Sequence, residues 1–401
     1  MVVFMIPLEQ AQTALWQAIR PALDTERVRL EAAGGRYCAE VLRARVDHPL
    51  FDNSSMDGYA VNIAEARAHD YVLPVAGASS CGDAPKALTA GSAMRIYTGA
   101  PLPGGADVVV IQEDVEAREG RARVPRELRA GQNVRYRGED FRAGAELYRA
   151  GHRFVAADLA LLATAGFDTV PVYRAPRVLL IATGNELVSP GGTLAPGQIY
   201  QSNSVALTVA LRAAGADVSD AGVVRDEPER LRDVLARGGE YDFVITTGGA
   251  SVGDHDLVRQ VFAEVGELRM WKVRIKPGKP IAFGHIGART HFFALPGNPV
   301  SSLVTFKLFV EPALAVWNHG EPLFWRLHAT AVNAFEREPG RTEFLRARLR
   351  VEGGRLLAEA LAGQGSHMVG PLRHTNGFIR VEAESKGFAA GDIVEVLPLG
   401  F

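Results

Sequence analysis

Three of the six lysines in this 401-residue chain stand close together, in the segment W271-K-V-R-I-K-P-G-K. Arginine supplies almost all the other cations, since Lys and Arg together number 44. A lysine ammonium is a compact point charge that suits phosphate or another tetrahedral oxyanion, whereas the arginine guanidinium is a planar fork. Lys272, Lys276 and Lys279 are therefore candidate ligands of a small oxyanion. A solvated turn around Pro277-Gly278 is the alternative explanation.

Several carboxylates follow predicted strands. Glu186 comes after the strand RVLLIAT, Asp226 follows DVSDAGVV, and Asp254 and Asp256 end a glycine-rich loop. Carboxylates beside an anion site are costly unless a cation bridges them, and hard oxygen ligands around phosphates favour Mg²⁺. Asp226 and Asp254 could instead cap the helices that follow them. Glu186 has no such alternative role.

Three glycine-containing loops come directly after apolar predicted strands. Open parallel sheets bind ligands at the carboxyl ends of their strands, where backbone N–H groups and a helix N-terminus can hold an anion. Each glycine could also simply turn the chain, and none of the loops is a Walker A or G-x-G-x-x-G motif. The second loop is the best candidate phosphate cradle. The loops read T183-G-N-E-L, T247-G-G-A-S-V-G-D-H-D and L295-P-G-N-P-V-S-S.

Two further polar segments precede these loops, F51-D-N-S-S-M-D-G-Y-A and R95-I-Y-T-G-A-P-L-P-G-G-A-D. On local evidence Asp57-Gly58 and Thr98-Gly99 are first of all turns. The chain has no H-E-x-x-H motif and no nucleophile triad signature. Hydrolysis through a Ser or Cys nucleophile is therefore not supported.

The secondary structure that must position these residues is predicted to change along the chain, from helix to strand to alternating strand and helix. Apolar spacing predicts helix over residues 8–44, broken at Pro21 and Gly34-Gly35, and again over 152–173. Short β-rich pieces between them predict an all-β insertion. From Arg174 strands alternate with helices of ten to twelve residues, as in βαβ units with a parallel sheet covered on both faces. Beyond about residue 321 the pattern predicts a small β-barrel or sandwich.

Composition places the chain among ordinary globular proteins. It is 47% hydrophobic and 22% charged, and its length predicts two to four domains. A net charge of −2 gives no electrostatic case for nucleic acid or an anionic membrane. Two distant cysteines, Cys38 and Cys81, argue against a disulfide framework or a structural zinc site. Without a signal peptide or an apolar run of about 20 residues, we expect a soluble cytoplasmic protein.

In their order along the chain, the motifs closely resemble the MoeA family of molybdopterin molybdenumtransferases, which is related to the gephyrin E domain. The resemblance covers nearly the whole chain. It departs at Asn185, where the family more often has Asp, and His255 is also a variable position. The segments that carry it are D52-N-S-S-M-D-G-Y-A, Y97-T-G-A-P-L-P-G-G-A-D with Q112-E-D, N133-V-R-Y-R-G-E-D, T183-G-N-E-L, G197-Q-I-Y-Q-S-N-S, T247-G-G-A-S-V-G-D-H-D, I275-K-P-G-K-P and L295-P-G-N-P-V-S-S.

The fold that this resemblance implies is a multidomain α/β protein. It has a doubly wound α/β molybdopterin-binding core, an inserted β module, a helical or extended dimerisation segment and a C-terminal small β-barrel. The expected domains are residues 1–45 with 141–173 for dimerisation, 46–140 for the inserted β domain, 174–320 for the α/β domain and 321–401 for the barrel.

The implied activity is insertion of molybdate into adenylylated molybdopterin with Mg²⁺-dependent release of AMP, which completes the molybdenum cofactor. Glu186, Asp226 and Asp256 are the expected holders or orienters of Mg²⁺. The catalytic set that the resemblance implies is Asp57, Thr98, Asp140, Glu186, Asp226, Asp256, Lys272, Lys276 and Lys279. The substrate-binding set is Gly248, Gly249, Ser251, Gly253, Pro296, Gly297, Asn298, Ser301, Arg346 and Ser366, with Arg346 and Ser366 near the oxyanion.

The family is a homodimer in which the positions of Asp57 and Thr98 face the α/β domain of the other subunit. The adenylyltransferase that supplies the substrate is a further partner that the resemblance suggests. Two other functions stay open. A pterin adenylyltransferase on the same core would not need the inserted module with Asp57 and Thr98, and a gephyrin-like scaffold would not need the acidic set.

Overall fold

The computed structural model describes residues 5–248, 257–322 and 326–400. Within them the helices are α1 Leu8–Ala18, α2 Ile63–Ala68, α3 Ala156–Thr164, α4 Asn203–Ala213, α5 Pro228–Ala236, α6 Leu257–Val265, α7 Pro299–Thr305 and α8 Glu311–Trp317. The strands before the central domain are β1 Thr25–Arg29, β2 Leu42–Arg43, β3 Asn53–Ser54, β4 Gly58–Val61, β5 Val72–Ser79, β6 Ala93–Ile96, β7 Val108–Ile111, β8 Glu116–Arg118, β9 Arg121–Arg123, β10 Val134–Arg135, β11 Glu146–Tyr148 and β12 Thr169–Tyr173. The central strands are β13 Arg177–Thr183, β14 Leu187–Val188, β15 Ile199–Tyr200, β16 Asp217–Val224, β17 Phe243–Thr247, β18 Gly266–Lys272, β19 Ile275–Lys276, β20 Pro280–Ile286 and β21 Thr290–Leu295. The last strands are β22 Leu327–Ala331, β23 Phe335–Glu336, β24 Thr342–Glu352, β25 Arg355–Ala360, β26 Gly377–Val381, β27 Gly387–Phe388 and β28 Ile393–Pro398.

The N-terminal segment is less helical than its apolar spacing predicts. α1 ends at Ala18, and the helix expected over the rest of residues 8–44 is wrong. Pro21 disfavours helical geometry in the residue before it, so the chain leaves the helix there. β1 then pairs antiparallel with β12, and β2 pairs with β11. The second expected helix is likewise limited to α3, because residues 169–173 form β12.

The inserted module is a six-stranded sheet in the order β7-β4-β6-β5-β9-β8. Its central strand β4 lies so close to β7 that a Cβ on Gly58 would be 2.0 Å from the carbonyl oxygen of Val110. Only glycine is compatible with that approach. The close pairing fixes the start of β4, and therefore the position of Asp57 immediately before it.

The central sheet has the order β16-β13-β17-β21-β20-β18. Its first four strands are parallel, with α4, α5 and α6 in the connections. β20 and β18 are antiparallel to their neighbours, so the expected all-parallel sheet is mixed at one edge. The reason is connection length: only residues 287–289 join β20 to β21, too few for a parallel crossover. The doubly wound core expected from the sequence is otherwise confirmed.

A long apolar helical run supports one face of this sheet. The expectation that the chain has no apolar run of about 20 residues is wrong, because the 19 residues Pro299–Trp317 are long and apolar enough to span a membrane. However, 78% of the most apolar part of this run is buried inside the protein. The run is therefore a core helix. It comprises α7, a π turn over Phe306–Val310, and α8. The side chain of Gln12 in α1 donates a hydrogen bond to the Leu308 carbonyl in the π turn, at 3.0 Å.

The C-terminal strands close into a barrel, as expected. β24, β25, β22, β28 and β26 pair in that order, and β26 returns to β24. The interior is lined by small and branched apolar side chains such as Ala329, Leu345 and Ile379. The two-residue strand β19, which belongs by sequence to the central region, pairs in parallel with the start of β24. The barrel is thus joined directly to the segment that carries the lysines.

Candidate active site

Three strand ends meet at one edge of the central sheet. β13, β17 and β21 are adjacent and parallel, and their glycine-containing loops emerge side by side. Gly248 has φ +91°, and a Cβ there would lie 2.5 Å from the Thr183 carbonyl oxygen. A Cβ on Gly297 would lie 3.6 Å from the Gly248 Cα. These loops are therefore in contact, and the middle one requires glycine at Gly248.

A cleft of about 1130 Å³ opens above these strand ends. Its walls come mainly from the central domain, and the C-terminal barrel adds His367 and Val369. The volume suits a ligand somewhat larger than typical drug-sized molecules. The lining residues are Thr183, Gly184, Glu186, Leu187, Ile199, Tyr200, Gln201, Ser202, Asn203, Asp226, Pro228, Thr247, Gly248, Gln260, Pro280, Pro296, Gly297, Asn298, Pro299, His367 and Val369.

Two carboxylates face this cleft. Burial, with a further contribution from the negative charge of Glu186, raises the pKa of Asp226 above its ordinary value. The side chain of Asp226 is not a helix cap, because the N-cap of α5 is Glu227 and makes no side-chain capping bond. Gly184 leaves room for Glu186, since a Cβ there would be 2.6 Å from Glu186 Oε2. A pair of like charges held this way is suited to a divalent cation.

Part of the predicted phosphate loop falls in residues 249–256. Gly249, Ser251, Gly253 and Asp256 from the expected site lie outside the described residues. Among the residues that the structure describes, no cluster of three or more His, Cys, Asp or Glu side chains could hold a metal ion. The described part of the expected metal set is therefore the pair Glu186 and Asp226.

The lysine segment runs between the barrel and the cleft. Lys272 ends β18 and Lys276 lies in β19. Lys276 Nζ lies 2.8 Å from the Oε1 of Glu343, at the start of β24. Lys279 is half-buried and is followed directly by Pro280, which lines the cleft. The turn between the two lysines thus leads from the barrel contact to the cleft wall.

The barrel residues expected near an oxyanion occupy different positions. Ser366 is close to the cleft, and its Oγ accepts a hydrogen bond from Asn298 Nδ2 at 3.1 Å. Arg346 is fully buried. Its guanidinium donates to the carbonyl oxygens of Gly363, Gly365 and Met368. In this arrangement Arg346 holds the loop that carries Ser366, His367 and Val369, and it is not exposed to the cleft. Ser301, also in the expected set, is buried in α7 and does not line the cleft.

The expected residues of the inserted module lie elsewhere on the protomer. Asp57 Oδ1 accepts hydrogen bonds from the Thr98 backbone N–H at 2.7 Å and from Thr98 Oγ1 at 2.8 Å. These two bonds lower the pKa of Asp57. Asp140 lines a separate pocket of about 440 Å³ with His48 and Arg135. None of Asp57, Thr98 and Asp140 lines the larger cleft of the same chain, as far as the described residues extend.

Comparison with known proteins decides the family. Models described as "MoeA N-terminal region (domain I and II)", "Probable molybdopterin binding domain" and "MoeA C-terminal region (domain IV)" match residues 6–166, 179–316 and 328–399. The molybdopterin molybdenumtransferase of Haemophilus influenzae is 36% identical over 98% of both chains. The chain belongs to the MoeA family.

Other MoeA relatives agree along the whole length. The molybdopterin molybdenumtransferase of Bacillus subtilis is 34% identical over 93% of this chain and 90% of its own. Two crystal structures of the molybdopterin biosynthesis MoeA protein from Pyrococcus horikoshii superpose with TM-scores of 0.82 and 0.84 at 33% and 28% identity. They cover 99% and 98% of this chain and all of their own. The resemblance and the fold class predicted from the motifs are confirmed.

The structure also clarifies the position at which the chain departs from the usual MoeA motif. Asn185 Oδ1 accepts a hydrogen bond from the backbone N–H of Asp226 at 3.1 Å. An aspartate carboxylate oxygen could accept the same bond. The substitution therefore preserves the contact that joins the first strand-end loop to Asp226, and it removes one negative charge from the cleft mouth.

Several cleft residues were missed when candidate site residues were chosen from the sequence. Asn203 belongs to the MoeA-like segment G197-Q-I-Y-Q-S-N-S, and its Nδ2 donates to the Gly297 carbonyl oxygen at 2.7 Å. This bond joins α4 to the third strand-end loop. Its position in this motif could have identified Asn203 as a site residue. His367 and Val369 gave no comparable signal, because only the docking of the barrel loop brings them to the cleft.

Proposed function

We propose that this MoeA-family chain is a molybdopterin molybdenumtransferase that uses the cleft above β13, β17 and β21 as its active site. It inserts molybdate into adenylylated molybdopterin and releases AMP, the final step of molybdenum cofactor biosynthesis. The observation that carries this assignment of the site is that one cleft is lined by the strand-end glycine loops, by Glu186 with Asp226, and by Pro280, which directly follows the lysine turn. We further propose that the enzyme works in the cytoplasm.

The adenylylated pterin occupies the cleft with its phosphates toward the strand ends. Gly248 and Gly297 have no side chain there, so a ligand can approach the backbone. Pro296 and Asn298, which flank Gly297, also line the cleft. Gly249, Ser251 and Gly253 continue the same glycine loop in the sequence and complete the proposed phosphate contact.

Glu186 and Asp226, with Asp256, would hold Mg²⁺ in this site. Two carboxylates that line one cleft fit a hard divalent cation, and burial together with the negative charge of Glu186 raises the pKa of Asp226. The cation would neutralise charge that develops on the phosphoryl oxygens as the phosphoanhydride is cleaved. Glu186 and Asp226 would supply carboxylate oxygens to hold the cation beside the phosphates.

The lysine turn supplies the molybdate site. Molybdate is a tetrahedral dianion, and compact ammonium groups suit it better than planar guanidinium groups. Lys276 and Lys279 hold the oxyanion, and Lys272 adds positive charge from the end of β18. Ser366, whose Oγ accepts a hydrogen bond from Asn298 Nδ2, offers a neutral hydroxyl donor beside the cleft.

The working enzyme is a homodimer with shared sites. Asp57 and Thr98 form a hydrogen-bonded pair on the protein surface, away from the cleft of their own chain. In the dimer these residues, with Asp140, act at the cleft of the other protomer. The upstream adenylyltransferase is proposed as a further partner, because direct transfer would protect a reactive dithiolene.

Incubation of the pure protein with adenylylated molybdopterin, Mg²⁺ and molybdate, followed by measurement of AMP, tests the function. AMP release that requires both Mg²⁺ and molybdate is expected. The variant Lys279→Gln should raise the molybdate concentration needed for half-maximal rate about ten- to a hundredfold, the effect of losing one charge-assisted contact. Lys86→Gln, in the inserted module, is the matched control. Loss of pterin-nucleotide binding with unchanged molybdate saturation would contradict the assignment of Lys279.

A further inference from the structure

The contact between β19 and the barrel contains a buried carboxylate for which the reaction has so far provided no role. β19 and β24 run parallel, and their register sets Ile275 opposite Thr342 and Lys276 opposite Glu343. The Thr342 N–H donates to the Arg274 carbonyl oxygen at 3.0 Å. Lys276 is therefore fixed by its backbone to the first residues of the barrel.

Glu343 is flanked by two cations. Its side chain is only 4% exposed, its Oε1 lies 2.8 Å from Lys276 Nζ, and its Oε2 lies 3.4 Å from Arg337 Nη1. Arg337 is itself 6% exposed and donates to the carbonyl oxygens of Glu338 and Arg341. A buried carboxylate needs a partner to remain ionised, and Arg337 alone would satisfy that need. The second oxygen is thus available for Lys276.

The charges in this group do not cancel. Two cations face one carboxylate, and the only well-exposed member is Lys276, whose side chain is 51% exposed. The excess positive charge is therefore accessible at the lysine ammonium. An ammonium has three donors, and one of them is used by Glu343, so two are left for an anion. Glu343 fixes the position of the ammonium and does not neutralise the group.

We propose that Glu343 is a positioning residue for molybdate binding, acting through Lys276. This inference rests on the proposed function, in which Lys276 holds the oxyanion. Without Glu343 the flexible lysine side chain would lose the contact that holds its end in one place, and binding an anion would then cost side-chain conformational entropy. The barrel thereby contributes to the oxyanion site through a residue that does not touch the substrate.

The variant Glu343→Asp tests the position of the carboxylate at constant charge. The aspartate keeps a negative charge near Arg337, but its side chain is one methylene shorter and so moves the carboxylate away from Lys276 Nζ. We expect the KM for molybdate in AMP release to rise about five- to tenfold, less than the loss of a direct charge-assisted contact with the anion would cause, with kcat and the affinity for adenylylated molybdopterin unchanged. The matched control is Glu384→Gln, because Glu384 pairs with Arg274 Nη1 at 3.0 Å in the same contact region. This control should leave the molybdate KM unaltered.

The dependence on Lys276 separates positioning from a general structural role. In a Lys276→Gln background, Glu343→Asp should cause no further rise in the molybdate KM. An equal rise in both backgrounds, or no rise in either, overturns the proposal. If thermal unfolding shows that Glu343→Asp does not fold, the molybdate KM of Glu343→Gln is measured instead, in the wild-type and Lys276→Gln backgrounds. Its effect on the molybdate KM must disappear in the Lys276→Gln background. Failure of wild-type protein to release AMP would instead refute the proposed function.

Discussion

Arg346 provides the sharpest test of how the barrel serves the site. The family resemblance suggests that it lies near the oxyanion, whereas its guanidinium is buried and donates to three carbonyl oxygens of the 363–368 loop. The conservative variant Arg346→Lys distinguishes the two roles. It keeps a positive charge but replaces a planar group that reaches several acceptors with an ammonium on a shorter side chain.

The expected size of the effect follows from those contacts. Arg346 Nη1 is 2.7 Å from the Met368 carbonyl oxygen and 3.2 Å from that of Gly365, and Nη2 donates to Gly363 and Gly365. A hydrogen bond from a charged donor contributes about 1.5–3 kcal/mol. If lysine keeps one of the three acceptors, two are lost, and the lower end of that range gives a loss of about 3 kcal/mol of local stability in the loop. That loss corresponds to roughly a hundredfold increase in the population in which the loop is open.

Amide hydrogen exchange measured by mass spectrometry reports this opening directly. Peptides that cover residues 361–376 should exchange roughly a hundredfold faster in Arg346→Lys, while peptides of the central sheet are unchanged. The control is Arg348→Lys, two residues along β24, where the arginine is exposed. Activity that falls without faster exchange in the loop would refute this reasoning and would favour direct contact between Arg346 and the oxyanion.

Three further outcomes are expected. Gly248→Ala should lower the free energy of unfolding by about 1–3 kcal/mol, because φ is +91° and the Cβ would be 2.5 Å from a carbonyl oxygen. Gly297→Ala should be tolerated, because its Cβ would be 3.6 Å from the nearest atom. Equal thermal unfolding midpoints for the two variants would contradict this argument. Because the pKa of Asp226 is raised in the fold, the metal-free protein should lose stability as pH rises from the ordinary aspartate pKa of 3.8 through the raised pKa. Asp226→Asn should abolish that component in thermal unfolding at several pH values, along with Mg²⁺-dependent activity. Finally, inactive Asp57→Asn and Asp226→Asn chains should regain AMP release when mixed and re-associated, since heterodimers contain one intact site; folded mixed dimers without activity would disprove shared sites.

The strands and loops that surround the cleft could be predicted from the sequence. β13, β17 and β21 are almost continuous apolar runs, because both faces of the sheet are covered. The end of such an apolar run marks the carboxyl end of the strand, and in each case a glycine-containing loop follows directly. Glu186 and Asp226 could therefore be assigned to one edge before any geometry was known.

Contacts between distant segments could not be predicted in the same way. The apolar spacing of residues 25–29 is compatible with a helix, and only pairing with residues 169–173 makes them a strand. Arg346 is a strand residue whose side chain satisfies loop carbonyls seventeen to twenty-two positions away. Neither arrangement leaves a periodic signal. Both depend on tertiary partners, which override local preference.

The hydrogen bond from Gln12 to Leu308 bears on how the chain acquires its structure during synthesis. The partners are 296 residues apart, and α1 buries Leu8, Ala11 and Leu15 in the same core cluster as Phe306 and Phe309. α1 is therefore synthesised long before the residues around Leu308 that it packs against. Until the run Pro299–Trp317 has been made, the apolar face of α1 has no permanent cover, so nascent chains that stop before this point expose it to chaperones and to aggregation.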